Sequence, residues 1–173
     1  NISVLTNGSV DGLIISIARE TQETQNFKHF EDLIKDDFPL VLFDRIIEDL
    51  QCDKVIIDDV GGAYKATEHL IEIGCKKIAL LTTQDYVSVG ALRKEGYLKA
   101  LVANGVTIDE SLIYKIDDSK NLYDQIEQLI NASNSPDAIL AVNEIYAANA
   151  LKVAKERGLE IPEDIAIIGF TSG

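Results

Sequence analysis

The chain has 173 residues, 46% of them hydrophobic and 26% charged, which is enough to bury one good core or two small ones. Its formal net charge of −13 repels phosphate backbones, so this segment is a poor candidate for contacting nucleic acid itself. The apolar runs are too short to cross a bilayer, no signal peptide begins at Asn1, and the two cysteines suggest no disulfide framework. The cysteines lead us to expect a reducing compartment, and the location that we expect is the cytoplasm.

Short apolar runs rich in Ile, Val and Leu alternate with segments of helical spacing along the chain. Such runs predict strands covered on both faces, and the alternation predicts a mainly parallel sheet with right-handed crossovers. Gly74, Gly105 and Gly158 stand where the helices should end. The predicted strands are Gly12 to Ile17, Leu40 to Phe43, Lys54 to Ile57, Lys77 to Thr82, Leu112 to Ile116, Ala138 to Val142 and Ile165 to Gly169.

One connection departs from this alternation of strands and helices and suggests that the chain forms two lobes. The segment between Phe43 and Lys54 is close to the lower limit for a crossover that contains a helix, so we interpret the Lys54 run as a bridge that leaves the first sheet. The first lobe would be residues 1–59, with a helical stub from Asn1 to Asn7 and two strands. The second would be residues 60–173, with four strands and four helices. Because two strands do not make a stable parallel sheet, we expect part of the first lobe to lie upstream of Asn1.

Polar residues follow the predicted strands, where open parallel sheets bind their ligands. Carboxylate, amide, hydroxyl and guanidinium groups suit a hydroxylated or charged small molecule. Arg93 lies near the start of the helix after the fourth strand. Its guanidinium group can donate hydrogen bonds to a carboxylate or to vicinal hydroxyls. The strand-end residues are Ser16, Arg19, Asp44, Arg45, Asp58, Asp59, Thr82, Thr83, Gln84, Asn143, Glu144, Thr171 and Ser172.

Several of these residues also have a structural interpretation. Asp44 and Asp58 can cap loops or helix starts, and Asn143 can be a helix N-cap. Arg93 can form a surface ion pair in the region of Glu95. Only their joint occurrence at strand ends favours a binding site.

Signatures of catalysis are missing from the chain. There is no nucleophile elbow, phosphate-binding loop or dinucleotide-binding turn, and no cysteine–histidine cluster suggests zinc. The pair Asp58-Asp59 has the chemistry of a magnesium site, but a two-lobed layout fits that poorly. We therefore expect a binding domain that is not an enzyme and needs no metal or cofactor.

A series of short motifs runs through the chain in order. They are Val10 to Ser16, Pro39 to Arg45, Gly62 to Ile71, Gly74 to Ala79, Arg93 with Gly96-Tyr97, Pro136 to Ile139 and Ile161 to Phe170. In this order and spacing they closely resemble the effector-binding domain of LacI/GalR-type bacterial transcription regulators. The likeness covers nearly the whole chain, and the combination is specific although each motif is weak.

This resemblance implies a periplasmic-binding-protein-like fold, in which two α/β lobes with mainly parallel sheets are hinged around a ligand. It also implies a helix-turn-helix domain outside this chain, operator DNA as the partner of that domain, and a homodimer. The effector would be a sugar or sugar derivative, with no cofactor. By similarity, effector contacts fall on Asp44, Arg93, Asn143 and Thr171, with Ser16 lining the cleft.

Some positions depart from the family's common pattern. Thr171 stands where Asp is common, Glu144 follows Asn143 where Asp is usual, and Asp117-Asp118 replaces a frequent aromatic after the fifth strand. A pocket with Asp118 and Thr171 in those places is expected to prefer a ligand different from the family's usual sugars and purines.

Two other functional classes remain open from the sequence. An exported solute-binding protein of a sugar-transport system shares the fold, although the stretches Phe43 to Arg45 and Ala66 to Leu70 favour the regulator. An enzyme on the same scaffold would depend on Asp58 or Asp59.

Overall fold

A computed structural model of the chain describes Gly8 and residues 10–171. The predicted stub from Asn1 to Asn7 lies outside these residues. Two compact units are formed: the first contains the residues up to Asp58 together with Tyr86–Val89, and the second contains Asp59–Asp85 and the residues from Gly90 onward. Each unit is built on a parallel sheet with helices, which confirms the predicted α/β class. No helix in the described part of the chain is long and apolar enough to span a membrane.

The first unit contains a parallel sheet with the strand order β1-β2-β3. Its core is small, and the side chains of Ile17 and Leu42 are completely buried in it. Phe30 and Leu33 form the buried stripe of an amphipathic helix that covers this core. The elements are β1 (Leu13–Ile15), α1 (Arg19–Thr24), α2 (Lys28–Lys35), β2 (Leu40–Phe43) and β3 (Asp53–Val55).

Strand β3 shows that one prediction was wrong. The run from Lys54 to Ile57 was expected to leave the first sheet, but β3 pairs in parallel with β2 and is the third strand of that sheet. The connection before it contains no α-helix. Instead, Ile47 and Leu50 bury their side chains in the core, and Nε of Arg45 donates to the carbonyl oxygen of Ile17 at 2.7 Å. A crossover can be this short because a packed loop covers the core of the unit. A helix, which the sequence analysis assumed for this role, is not needed.

One face of the first sheet is exposed. Ile14 is 74% exposed, Val55 62% and Phe43 42%, whereas Leu40 and Leu42 on the opposite face are buried. Successive side chains of a strand point to opposite faces, so this alternation is what a sheet packed on one side produces. In the described part of the chain, this sheet is therefore covered on one face.

The second unit contains a parallel sheet with the strand order β5-β4-β6-β7. Every residue of the inner strands β4 and β6 is buried, so here the continuous apolar runs do indicate strands covered on both faces. Gly74, Gly105 and Gly158 have positive φ angles of 100°, 68° and 73° and end their helices as predicted. The elements are α3 (Asp59–Glu72), β4 (Ile78–Thr82), α4 (Ser88–Ala103), β5 (Ile113–Lys115), α5 (Leu122–Ile130), β6 (Ala138–Ala141), α6 (Glu144–Glu156) and β7 (Ala166–Gly169).

Tyr97 is part of the core of this unit. Its side chain is 1% exposed, and its hydroxyl donates to the carbonyl oxygen of Ile78 at 2.8 Å. Burial raises the pKa of the Tyr97 phenol well above its usual range. The hydroxyl is therefore satisfied by the backbone of β4.

Gly96 allows helix α4 to approach the start of α3 closely. A methyl group at this position would lie 2.2 Å from the carbonyl oxygen of Val60 and 2.8 Å from Cβ of Ala63. Both distances are too short for real contacts, so a larger residue would push the two helices apart.

We expect Gly96→Ala to lower the free energy of unfolding by about 1–3 kcal/mol, the usual cost of overpacking. At a solvent-exposed position of a helix, the same substitution would raise the free energy of unfolding by up to about 1 kcal/mol. The sign of the change therefore shows whether the two helices are in close contact. Urea denaturation measures it. The control is Glu95→Ala, which removes only an exposed pair with Lys99 and should cost less than about 1 kcal/mol. A Gly96→Ala variant as stable as the parent would contradict the close approach.

Candidate ligand-binding site

The residues that follow strands β6 and β7 meet around the guanidinium group of Arg93. Arg93 lies near the start of helix α4 and is only 8% exposed. Its Nε donates to Oδ1 of Asp59 at 2.7 Å, and its Nη1 donates to the carbonyl oxygen of Val142. The guanidinium carbon lies 4.0 Å from the ring centre of Phe170. Contacts from three other elements therefore fix the plane of the guanidinium group.

The partners of Arg93 come together because of where each element begins or ends. Asp59 is the first residue of α3, Val142 follows β6, and Phe170 follows β7. A methyl group on Gly62 would lie 3.2 Å from a ring carbon of Phe170, so the glycine leaves room for the ring beside α3. At the first turn of a helix, the Asp59 carboxylate also has a favourable interaction with the helix dipole.

The structure excludes the interpretation of Arg93 as half of a surface ion pair near Glu95. Glu95 pairs with Lys99 at 2.6 Å on the exposed side of α4, whereas Arg93 is paired with buried Asp59. The guanidinium group has five N–H donors. Its two hydrogen bonds use one donor on Nε and one on Nη1, so further N–H groups remain on Nη1 and Nη2.

Asn143 and Thr171 lie at the same edge of the sheet, because each directly follows a residue that contacts Arg93. Oδ1 of Asn143 accepts a hydrogen bond from the backbone N–H of Tyr146 at 2.9 Å, so Asn143 is the N-cap of α6, as its structural interpretation proposed. The cap uses the amide oxygen, and the amide nitrogen carries two donors. Thr171 follows Phe170 and is exposed. The structure thus brings three of the predicted site residues together in the second unit.

The other two predicted residues, Ser16 and Asp44, form a separate group in the first unit. They follow the neighbouring strands β1 and β2, and the Ser16 hydroxyl donates to Oδ2 of Asp44 at 3.4 Å. Asp44 adopts a left-handed backbone with φ 57°, and its N–H donates to the carbonyl oxygen of Val55 at 3.3 Å. Its carboxylate is exposed and retains acceptor capacity for a ligand.

The loop after β5 uses its polar groups mainly for its own structure. The Asp117 carboxylate accepts from the hydroxyl and the N–H of Ser119 at 2.7 and 3.0 Å. The hydroxyl bond from Ser119, followed by the contact with Lys120, lowers the pKa of Asp117 to about 2. Buried Gln125 donates to the carbonyl oxygen of Asp117 at 2.9 Å. Of the acidic pair in this loop, Asp118 is the exposed residue.

No group of three or more His, Cys, Asp or Glu side chains that could hold a metal ion occurs among residues 8 and 10–171. Asp58 and Asp59, the pair with magnesium-like chemistry in the sequence, differ in the structure: Asp58 is exposed, and Asp59 is buried against Arg93.

Sequence reasoning did not assign Asp59 and Phe170 to the site. Asp59 was only one of several polar residues after a strand, and Phe170 was only part of a motif. One signal was available in the spacing of Arg93 and Gly96, which lie on the same face of a helix. A glycine on that face indicates that another element packs closely against it. The arginine, one turn away on the same face, then needs a hydrogen-bonding partner from that element.

Breaking the Asp59–Arg93 pair should destabilise the protein far more than breaking a surface pair. Arg93→Met leaves a buried carboxylate without its counter-charge, and we expect a loss of about 3–5 kcal/mol in the free energy of unfolding. Lys99→Met, which breaks the exposed pair with Glu95, should cost less than about 1 kcal/mol. The double variant Asp59→Leu/Arg93→Met should recover part of the loss. Equal losses for Arg93→Met and Lys99→Met in urea denaturation would show that the buried pair is not formed.

Comparison with known proteins places this arrangement in a family. A family model described as a periplasmic binding protein-like domain matches residues 67–172, more than half of the chain. The HTH-type transcriptional regulator DegA of Bacillus subtilis (strain 168) is 32% identical over 168 residues, 97% of this chain and 49% of DegA. A LacI-family regulatory protein from Chloroflexus aggregans is 32% identical with a TM-score of 0.82, covering 98% of this chain and 59% of that one. The structure of the transcriptional regulator CelR in complex with cellobiose is 29% identical with a TM-score of 0.79, covering 96% of this chain and 50% of that one.

The chain spans about half the length of the curated relatives it matches. The matches cover nearly all of its own length and agree with the parallel sheets and the motif order. The chain belongs to the LacI/GalR-type transcriptional regulators and represents part of their periplasmic-binding-protein-like effector-binding domain.

Proposed function

We propose that this chain senses a small polar effector at the carboxyl ends of its strands and thereby controls DNA binding by the rest of a LacI-type regulator. The observation that carries the proposal is the Arg93 guanidinium, oriented by Asp59 and the Val142 carbonyl at the sheet edge where open α/β folds bind ligands. DNA contact would belong to a helix-turn-helix domain outside this chain, since matched relatives are named HTH-type regulators.

The proposed effector is a sugar or a sugar derivative. Hydroxylated molecules present donors and acceptors together, and the proposed contacts offer both. Arg93 and the Asn143 amide nitrogen donate, the Asp44 carboxylate accepts, and the hydroxyls of Thr171 and Ser16 do either. Support for this class also comes from CelR, whose structure contains cellobiose.

Sensing requires that the effector binds two states of the protein with different affinity. A coupling of about 1–3 kcal/mol is usual for such switches. Because Arg93 is already held in one orientation, its ordering adds little entropic cost to ligand binding. In the regulator we further propose a homodimer, so that two DNA-binding domains read two half-sites, and a location in the cytoplasm with the DNA.

An exported solute-binding protein for sugar uptake would share this fold. The gene sequence upstream of Asn1 separates the two classes. A helix-turn-helix segment there supports the regulator, and a signal peptide with a cleavage site contradicts it. The relatives matched are named as regulators and not as enzymes, which supports a binding role without turnover.

A thermal-shift screen of sugars, sugar acids and nucleobases tests the proposed function first. A ligand that binds the folded state raises the melting temperature, by an amount that grows with ligand concentration. We expect at least one class of these compounds to do so. If no compound stabilises the full chain, the proposed function is not supported.

Asn143→Ala should then weaken binding of the compound found in the screen by about 1–2 kcal/mol, because a hydrogen bond to the ligand is lost. The variant also loses a helix cap, so it needs a matched control. Asn121→Ala removes the equivalent N-cap of α5, where Oδ1 of Asn121 accepts from the N–H of Asp124. Both variants should lose about 1 kcal/mol of stability. Calorimetry should show weaker binding for Asn143→Ala alone, and equal affinities would remove Asn143 from the site.

A further inference from the structure

The charge balance at Arg93 indicates which ligands the site can accept. We infer that Asp59 is a specificity-determining positioning residue: by neutralising Arg93, it selects uncharged polar ligands and excludes those with a carboxylate or phosphate beside this arginine. The inference rests on the proposed function, because it assumes that the ligand binds next to Arg93. It goes further in assigning a role to Asp59, which does not itself need to touch the ligand.

The geometry of the pair supports this role. Nε of Arg93 lies 2.7 Å from Oδ1 of Asp59, and the two side chains are only 10% and 7% exposed. At this depth the attraction between the two charges is weakly screened by water. An anionic ligand would have to compete with a carboxylate that is already in contact with the arginine. It would also approach that carboxylate, whose negative charge repels it.

The described polar residues that follow β4, β6 and β7 in this unit supply no further positive charge. They are Thr82, Thr83, Gln84, Asn143, Glu144 and Thr171, and none of them is basic. Lys115, at the end of β5, is paired with Asp85. An uncharged hydroxyl or carbonyl oxygen needs no counter-charge, because it can accept from the remaining N–H groups on Nη1 and Nη2 of Arg93. The site is therefore suited to neutral acceptors.

Inorganic phosphate is a simple probe for this inference. The variant Asp59→Asn keeps an oxygen that can accept from Arg93 but removes the negative charge, so the guanidinium should become an anion site. The melting temperature of the full chain is measured against phosphate concentration at pH 7, with the ionic strength held constant with chloride. We expect saturable stabilisation in Asp59→Asn, with an apparent phosphate affinity at least about tenfold higher than in the parent.

Two further variants separate this effect from simple destabilisation. Asp58→Asn removes the exposed carboxylate of the residue that precedes Asp59 and should behave like the parent. Asp59→Asn/Arg93→Gln should lose the phosphate dependence, because the anion would then have no cation to bind. A purely structural role of Asp59 would lower the melting temperature of Asp59→Asn at all phosphate concentrations without any saturable rise.

Saturable phosphate binding by the parent that Arg93→Gln abolishes would overturn the inference, and so would a folded Asp59→Asn variant without phosphate binding. The parent alone tests the inference if Asp59→Asn does not fold. In the compound screen, a sugar acid or sugar phosphate that stabilises the parent more than its neutral counterpart would also overturn it, although the proposed function would stand. In this screen, the absence of any stabilising compound would count against the proposed function instead.

Discussion

A buried guanidinium group must have an opposite charge beside it, and this requirement connects the elements at the carboxyl edge of the second sheet. Arg93 of α4 meets its counter-charge in Asp59, the first residue of α3, and its other contacts come from residues that follow β6 and β7. Gly96 permits the approach of α3 and α4 that places the two charges within 2.7 Å. The geometry of the candidate site and the packing of this unit therefore depend on the same contacts.

This arrangement presents hydrogen-bonding groups to a ligand. Arg93 offers oriented N–H donors, Asn143 has its amide oxygen engaged in a helix cap, and Thr171 adds a hydroxyl at the same edge. Such groups recognise the pattern of oxygen atoms on a ligand. The Asp59 carboxylate neutralises the charge of Arg93 and leaves the arginine as an oriented hydrogen-bond donor. The site then recognises the shape and hydrogen-bonding groups of a ligand more than its charge.

Much of the fold could be predicted because its signals are local. Continuous apolar runs marked the inner strands β4 and β6, and glycines marked the helix ends at Gly74, Gly105 and Gly158. Strand β3 was misplaced because a packed loop, which has no periodic signature, replaces the helix of its crossover. The Asn143 cap was foreseeable from its position before a helix. The partner of Arg93 was not, since Asp59 lies 34 residues away in the chain and only the close approach of two helices brings it near.

The proposed function requires that Arg93 is held in its binding orientation before the ligand arrives. NMR spectra of the arginine side-chain Nε–H groups test it directly when recorded without and with a compound that stabilises the protein. We expect that the Arg93 Nε–H exchanges slowly with water in the free protein, because it donates to buried Asp59, and that its resonance shifts when the compound binds. Exchange as fast as that of the Nε–H of Arg157, whose ion pair with Glu127 is partly exposed, together with no response to the compound, would show that Arg93 is not held in this way.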